Sequence, residues 1–278
     1  MAILDGKALS EQLIDSAKQK AEELSPTLAV ILVGENPASM AYVRNKKKAC
    51  ERAGIRYLEY KYPESITQQS LLKKIEELNE DDSVNGIIVQ LPLPEQIYVP
   101  EVIRAVAPAK DVDGFHAYNL GKMFLSSEFE DLPPATPLGI VKLLDHYNIP
   151  IQGQEVVVVG HSNIVGKPIS MMMLNRNATV TTCHIFTKDL SAHTRQADIL
   201  IVAVGKEKLI TADMVKEGAV VIDVGINRRA DGSLCGDVDF EEISKKASFI
   251  TPVPGGVGPM TVAALILNTI RATERQKA

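Results

Sequence analysis

Tyr42 and Lys46 stand four residues apart in a stretch, 38–53, that reads as a helix stopped by Gly54. Residues at i and i+4 share a helix face. A tyrosine ring beside an amine suits a flat heterocyclic ligand. The ring stacks, and the amine, where burial favours its neutral form, gives or takes a proton. Lys46 also opens the run Lys46-Lys47-Lys48, which by itself reads as a solvated helix face. Two loops favour chemistry. Gln90 closes a short buried strand, 86–90, and Leu91-Pro92-Leu93-Pro94 follows it. That puts Gln90 at a strand's C-terminal end, where α/β proteins seat ligands. Lys110-Asp111-Val112-Asp113-Gly114-Phe115 offers two carboxylates in a tight turn. The rest of a calcium loop, including its closing Glu, is missing. A single carboxylate taking hydrogen bonds from an amidine-like ligand edge is the more economical reading.

Two glycine-bearing loops point to close backbone approach by a ligand. Pro252-Val253-Pro254-Gly255-Gly256-Val257-Gly258-Pro259-Met260-Thr261 holds three glycines, three prolines and no charge. That mix suits neither a helix nor a strand interior. It lies between an apolar piece, 247–251, and a helical one beginning at Thr261. A tight turn that binds nothing would need fewer such residues. Gly160-His161-Ser162-Asn163-Ile164-Val165-Gly166-Lys167-Pro168 follows an apolar strand and leads into a helix. It meets the dinucleotide fingerprint only in part, but the first strand-to-helix turn is where a pyrophosphate sits. The next strand ends Thr182-Cys183-His184-Ile185 with no carboxylate. An Asp or Glu there, about 20 residues on, would bind a ribose 2′-hydroxyl. Its absence leans towards NADP, with His161, His184 and Lys188 as donors or positive charge.

The elements that must position these residues alternate in type. Runs at 28–33, 55–60 and 86–90 read as strands, with helices at 38–53 and 67–79, the latter capped by Thr67. A second series at 155–159, 178–182, 199–204 and 219–224 is continuously apolar. Such runs are buried on both faces, hence parallel and covered by helices. The expected fold is α/β. The seam is the polar, proline-bearing stretch 125–136. We expect a first domain of 1–136, joined by the C-terminal helix at about 261–278, and a dinucleotide domain of 137–260. The chain has 278 residues, a net charge of −5 and three scattered cysteines. These argue against nucleic acid, a membrane, a disulfide framework and a metal site, and for a cytoplasmic protein.

Together these motifs resemble the bifunctional methylenetetrahydrofolate dehydrogenase/cyclohydrolases. The resemblance rests on Tyr42-Val43-x-x-Lys46, 86–94, 110–114, Thr136-Pro137-x-Gly139, 162–168, Asp223-Val224-Gly225-Ile226-Asn227, Gly236-Asp237-Val238 and the 252–261 loop, in family order. It implies two α/β domains, the second a Rossmann-like doubly wound parallel sheet, with a cleft between them and a homodimer as the working form. It implies oxidation of 5,10-methylenetetrahydrofolate with NADP, then hydrolysis to 10-formyltetrahydrofolate, in one-carbon metabolism that feeds purine biosynthesis. Lys46 would transfer protons, Tyr42 stack on the folate, Gln90 bond Lys46, and Asp113 bind the pterin's amino edge. Leu91, Pro92, Pro254, Gly255, Gly256, Pro259 and Thr261 would complete the folate site. Gly160, His161, Ser162, Ile164, Val165, Gly166, Pro168, His184, Gly205 and Ile226 would line the cofactor. His161 and Ile185 stand where many members have Arg and Ser, and Ala135 where many have Cys. The first two leave NAD open, and with it a monofunctional dehydrogenase as the alternative. A non-catalytic nucleotide- or folate-binding regulator is the reading from another class.

Overall fold

In the computed structural model, which describes residues 1–278, the two apolar series become two parallel sheets. Thr27–Val33 lies between Arg56–Tyr62 and Gly86–Val89, parallel to both. All seven of its residues are buried, as a strand covered on both faces requires. Ala29, Ile31, Val33 and Ile87 pack with Leu71, Ile75 and Leu78 of the helix Gln68–Glu80. The helix Pro37–Ala53 starts where Asn36 accepts the N–H groups of Ala38 and Ser39, with Pro37 in its first turn. It ends at Gly54, whose φ of 79° is the left-handed value that favours glycine. Thr67 caps Gln68–Glu80 through the Ser70 N–H.

The second sheet has six parallel strands in the order Ala2–Ile3, Phe249–Ile250, Val220–Asp223, Ile199–Val202, Glu155–Val159, Thr179–Cys183. From Glu155–Val159 the chain steps outward to Thr179–Cys183, then back across to Ile199–Val202 and onward. The order reverses between Glu155–Val159 and Ile199–Val202, and ligands of doubly wound sheets bind at such a reversal. Val157, Val159, Leu200, Val202, Val221 and Ile250 form its core. A small antiparallel pair, Asn227–Arg228 with Leu234–Cys235, stands apart from both sheets. No helix is long and apolar enough to cross a membrane.

The chain divides into two compact units. One comprises Met1–Ser10, Met123–Ser127 and Thr136–Thr261; the other comprises Glu11–Lys122, Glu128–Ala135 and Val262–Ala278. The N-terminal ten residues were expected with the first domain and group instead with the dinucleotide unit. The reason is strand pairing: Ala2 and Ile3 lie beside Phe249 and Ile250, and the Leu4 N–H donates to Ile250 O at 2.9 Å. Met123 joins the same unit, its carbonyl accepting from Asn175 Nδ2 at 2.8 Å. The last helix, Val257–Lys277, starts four residues before Thr261, because a proline in a first turn costs no hydrogen bond.

Candidate active site

The three lysines of the basic run separate by environment: Lys46 is buried, at 7% exposure, whereas Lys47 and Lys48 are exposed. Lys46 Nζ donates to Gln90 Oε1 at 3.0 Å. The other end of that amide donates to Leu91 O at 2.7 Å, so both ends of Gln90 are engaged. Leu91 O also accepts from Ser39 Oγ, one turn before Tyr42 on the same helix. The strand end at Gln90 and the helix Pro37–Ala53 thus hold one amine in place. Tyr42 lies half-buried, and burial pushes its phenol above the ordinary range, so the ring is neutral at physiological pH.

The two aspartates of the turn have different work. Asp111, at 4% exposure, accepts from the N–H groups of Gly114, Phe115 and His116 and from Asn119 Nδ2. Its carboxylate is spent on shaping the turn. The Asp113 carboxylate accepts no hydrogen bond from the chain; only its carbonyl does, from Ala135 N–H. Burial pushes the Asp113 carboxyl above the usual range; the Lys46 charge opposes this and Asp111 adds to it. Asp111 and Asp113 sit with Ile87, Val89, Leu91 and Phe115 around a small recess of about 20 Å³. An acceptor without a partner on an apolar pocket is ready for a ligand's N–H groups. Asn119 and Asn268 were not foreseen. Asn268 Nδ2 donates to both Val112 O and Pro133 O, tying the last helix to the turn that presents Asp113. No local spacing signals that contact, since 156 residues separate Asn268 from Val112.

The dinucleotide residues gather at the reversal in strand order. Gly160 has a φ of 120°, and a Cβ there would stand 2.3 Å from Ala203 O. A Cβ on Gly166 would stand 2.1 Å from Gly160 O. Both glycines are therefore needed by the turn itself. Ser162 Oγ accepts from the N–H groups of Val165 and Gly166 at 3.2 and 3.4 Å. The N–H groups of His161, Ser162, Asn163 and Ile164 find no partner in the chain, and all four residues are exposed. A run of free amides before the helix Gly166–Leu174, with buried Pro168 in its first turn, fits a pyrophosphate. His161 and His184 bring their rings to 5.1 Å at the ends of neighbouring strands. Ile185 beside them is 87% exposed. Gly205, with a φ of 70°, and half-exposed Ile226 follow the next two strands of the sheet.

The glycines of the 252–261 loop divide. Gly256 is buried, and a Cβ would meet Pro252 O at 2.6 Å; its carbonyl would stand 1.9 Å from a Cβ on Gly6. Gly255 has a φ of 111° and accepts from the Lys7 N–H at 2.8 Å. The fold of the loop itself thus accounts for both glycines, Gly256 through Pro252 and Thr251 and Gly255 through its φ, and the N-terminal segment packs on their carbonyls. Gly258 faces only Ile226 Cδ1, at 3.9 Å, and Pro254 is exposed. Pro259 is half-buried, and Thr261 Oγ1 lies 2.9 Å from Thr136 Oγ1.

Comparison with known proteins agrees with this geometry. The family model of the tetrahydrofolate dehydrogenase/cyclohydrolase catalytic domain matches residues 4–113. That of the family's NAD(P)-binding domain matches residues 134–277. The bifunctional protein FolD of Nautilia profundicola is 54% identical over 99% of this chain and 98% of its own length. A crystal structure of the bifunctional FolD enzyme from Campylobacter jejuni is 53% identical, with a TM-score of 0.95 over 99% of each chain. The Trypanosoma brucei dehydrogenase–cyclohydrolase, solved with NADP and an inhibitor, is 34% identical, with a TM-score of 0.95 over 99% of this chain and 97% of its own. With two family models matched in chain order and relatives more than half identical along its whole length, this chain belongs to the tetrahydrofolate dehydrogenase/cyclohydrolase family.

Proposed function

We propose that this chain oxidises 5,10-methylenetetrahydrofolate to the 5,10-methenyl cation and hydrolyses that cation to 10-formyltetrahydrofolate. The observation that carries the reading is the buried Lys46–Gln90 pair with the unengaged Asp113 carboxylate in the same unit. The family match and the FolD relatives support the bifunctional form over a dehydrogenase alone. NADP, when bound, supplies the acceptor for the hydride that leaves the methylene carbon. Hydride transfer asks for alignment and no side-chain acid. The free amides of 161–164 would take the pyrophosphate, and His161 with His184 the 2′-phosphate. Asp113 would hold the pterin's amino edge, and Tyr42 would stack on the ring.

The second step needs a base. As water adds to the methenyl carbon, Lys46, having first given up its own proton to solvent, takes one from the water and a carbinol forms. The bond from that carbon to N5 then breaks, N5 gains a proton, and the carbinol oxygen loses one as the formyl group appears. One proton is released overall. Gln90, held by Leu91 O at its far end, fixes the direction of the amine. A homodimeric, cytoplasmic enzyme feeding purine synthesis belongs to the same reading.

The test is initial-rate measurement of both steps on one preparation, with NADP and NAD side by side. Lys46→Ala is expected to bring methenyl hydrolysis down to the uncatalysed rate. Hydrolysis that stays above that rate sinks the role of Lys46. Faster turnover with NAD than with NADP sinks the part given to the histidine pair.

A further inference from the structure

Two aspartates of the matched motifs, given no role so far, form a buried knot beneath the loops that follow Ile199–Val202 and Val220–Asp223. Asp237 is 0% exposed and Asp223 2%. Asp237 Oδ2 accepts from the N–H groups of Val204 and Gly205 at 2.7 and 3.0 Å. Its Oδ1 accepts from Lys206 N–H at 2.8 Å and from Asn227 Nδ2 at 2.9 Å. Asp223 in turn accepts from the N–H groups of Gly225, Asp237 and Val238. Both carboxylates press on glycines: a Cβ on Gly225 would lie 2.1 Å from the Asp237 carboxyl carbon, and one on Gly236 1.8 Å from Asp223 Oδ2. One side chain therefore gathers three consecutive amides of the 204–206 loop and, through Asn227, the segment beside Ile226. Those loops end the strands on the far side of the reversal from Gly160, and they present Val204 and Ile226, 39% and 44% exposed, at the surface. A dinucleotide whose pyrophosphate lies on the Gly160 turn extends its other end towards these loops.

We propose that Asp237, seated on Asp223, is a positioning residue for the nicotinamide half of the dinucleotide. The inference rests on the dinucleotide reading of the Gly160 turn. Asp237 touches no ligand; it fixes the height and direction of the Val204–Gly205 and Ile226 backbones against which the ring lies. In Asp237→Asn the shape is kept, but an amide N–H2 faces donors that have lost their acceptor. The adenosine half, held by the turn at 160–166, is untouched.

The test is titration of the full chain with NADP or NAD, whichever binds, and with the matching half-ligand, 2′,5′-ADP or 5′-AMP, read by calorimetry. Asp237→Asn is expected to weaken the dinucleotide about tenfold and the half-ligand less than twofold. Methenyl hydrolysis, which belongs to Lys46 in the other unit, is expected to stay within twofold, and the retained half-ligand affinity reports that the unit carrying Asp237 is folded. Asn227→Ala removes one of the four bonds and is expected to weaken the dinucleotide about threefold, which keeps the proposal testable should Asp237→Asn not fold. Equal losses for dinucleotide and half-ligand, or no loss for either, overturn the inference. Wild-type protein that binds neither dinucleotide overturns the cofactor reading and this inference with it.

Discussion

At the scale of single residues, the turn 110–115 shows why two identical side chains two positions apart do different things. Asp111 spends its carboxylate on four donors of its own turn, and Asp113 keeps its own for something outside the chain. Spacing alone does not separate them, because the difference lies in which way each carboxyl leaves a folded turn. Opposite failures are expected of their variants. Asp113→Asn should fold with unchanged stability, lose folate affinity at least tenfold, and lose both activities. Asp111→Ala leaves buried donors without an acceptor, which costs about 3 kcal/mol or more. Thermal unfolding with folate titration on each variant separates the two; an Asp113→Asn protein with unchanged folate affinity refutes the pterin role. Lys46 was legible as a candidate from its i, i+4 partner. Its distinction from Lys47 and Lys48 was not, since only burial of one helix face makes it.

At the scale of elements, regular runs with their own punctuation were legible and very short ones were not. The helix Pro37–Ala53 carries its start in Asn36 and Pro37 and its stop in Gly54. Gln68–Glu80 carries its cap in Thr67. The buried strands announced themselves as continuous apolar runs, but Thr179–Cys183, read with them, is a threonine-rich edge strand with only Cys183 buried. Ala2–Ile3, Asn227–Arg228 and Leu234–Cys235 have two residues each and show no period of any kind. They exist because a neighbouring strand is there to pair with. The turn after Glu155–Val159 makes an element-level prediction. Gly160→Ala puts a methyl into Ala203 O at a φ that L residues rarely adopt. The turn must then move, and its free amides with it. Dinucleotide binding is expected to fall at least tenfold, with methenyl hydrolysis retained; full dinucleotide affinity in this variant would show that the turn does not hold the pyrophosphate.

At the scale of the whole molecule, stability carries a signature of the carboxylate knot. Burial raises the Asp223 carboxyl from 3.8 to about 6, against the pull of its backbone donors and with a push from Asp237. The folded state thus holds a proton that the unfolded chain releases between those two values. The resulting stabilisation is complete below about pH 4 and is lost as pH rises through about 6. Over that window the wild type should gain on Asp223→Asn by about 3 kcal/mol on acidification. Denaturant unfolding of the pair at pH 4 and pH 7 measures it, and a difference that does not change with pH refutes the account. The division of the chain into units was legible at its proline-bearing seam. The placement of Met1–Ser10 was not, because strand pairing across the length of the chain leaves no mark near its first residues.

That pairing has a consequence for how the protein is made. Ala2–Ile3 is synthesised long before its partner Phe249–Ile250. The other unit waits as well, since Asn268 must arrive before the turn at Val112 is tied down. Each unit therefore stays incomplete until 249–250 and Asn268 have emerged, and the long stretch made before them must stay unaggregated until then.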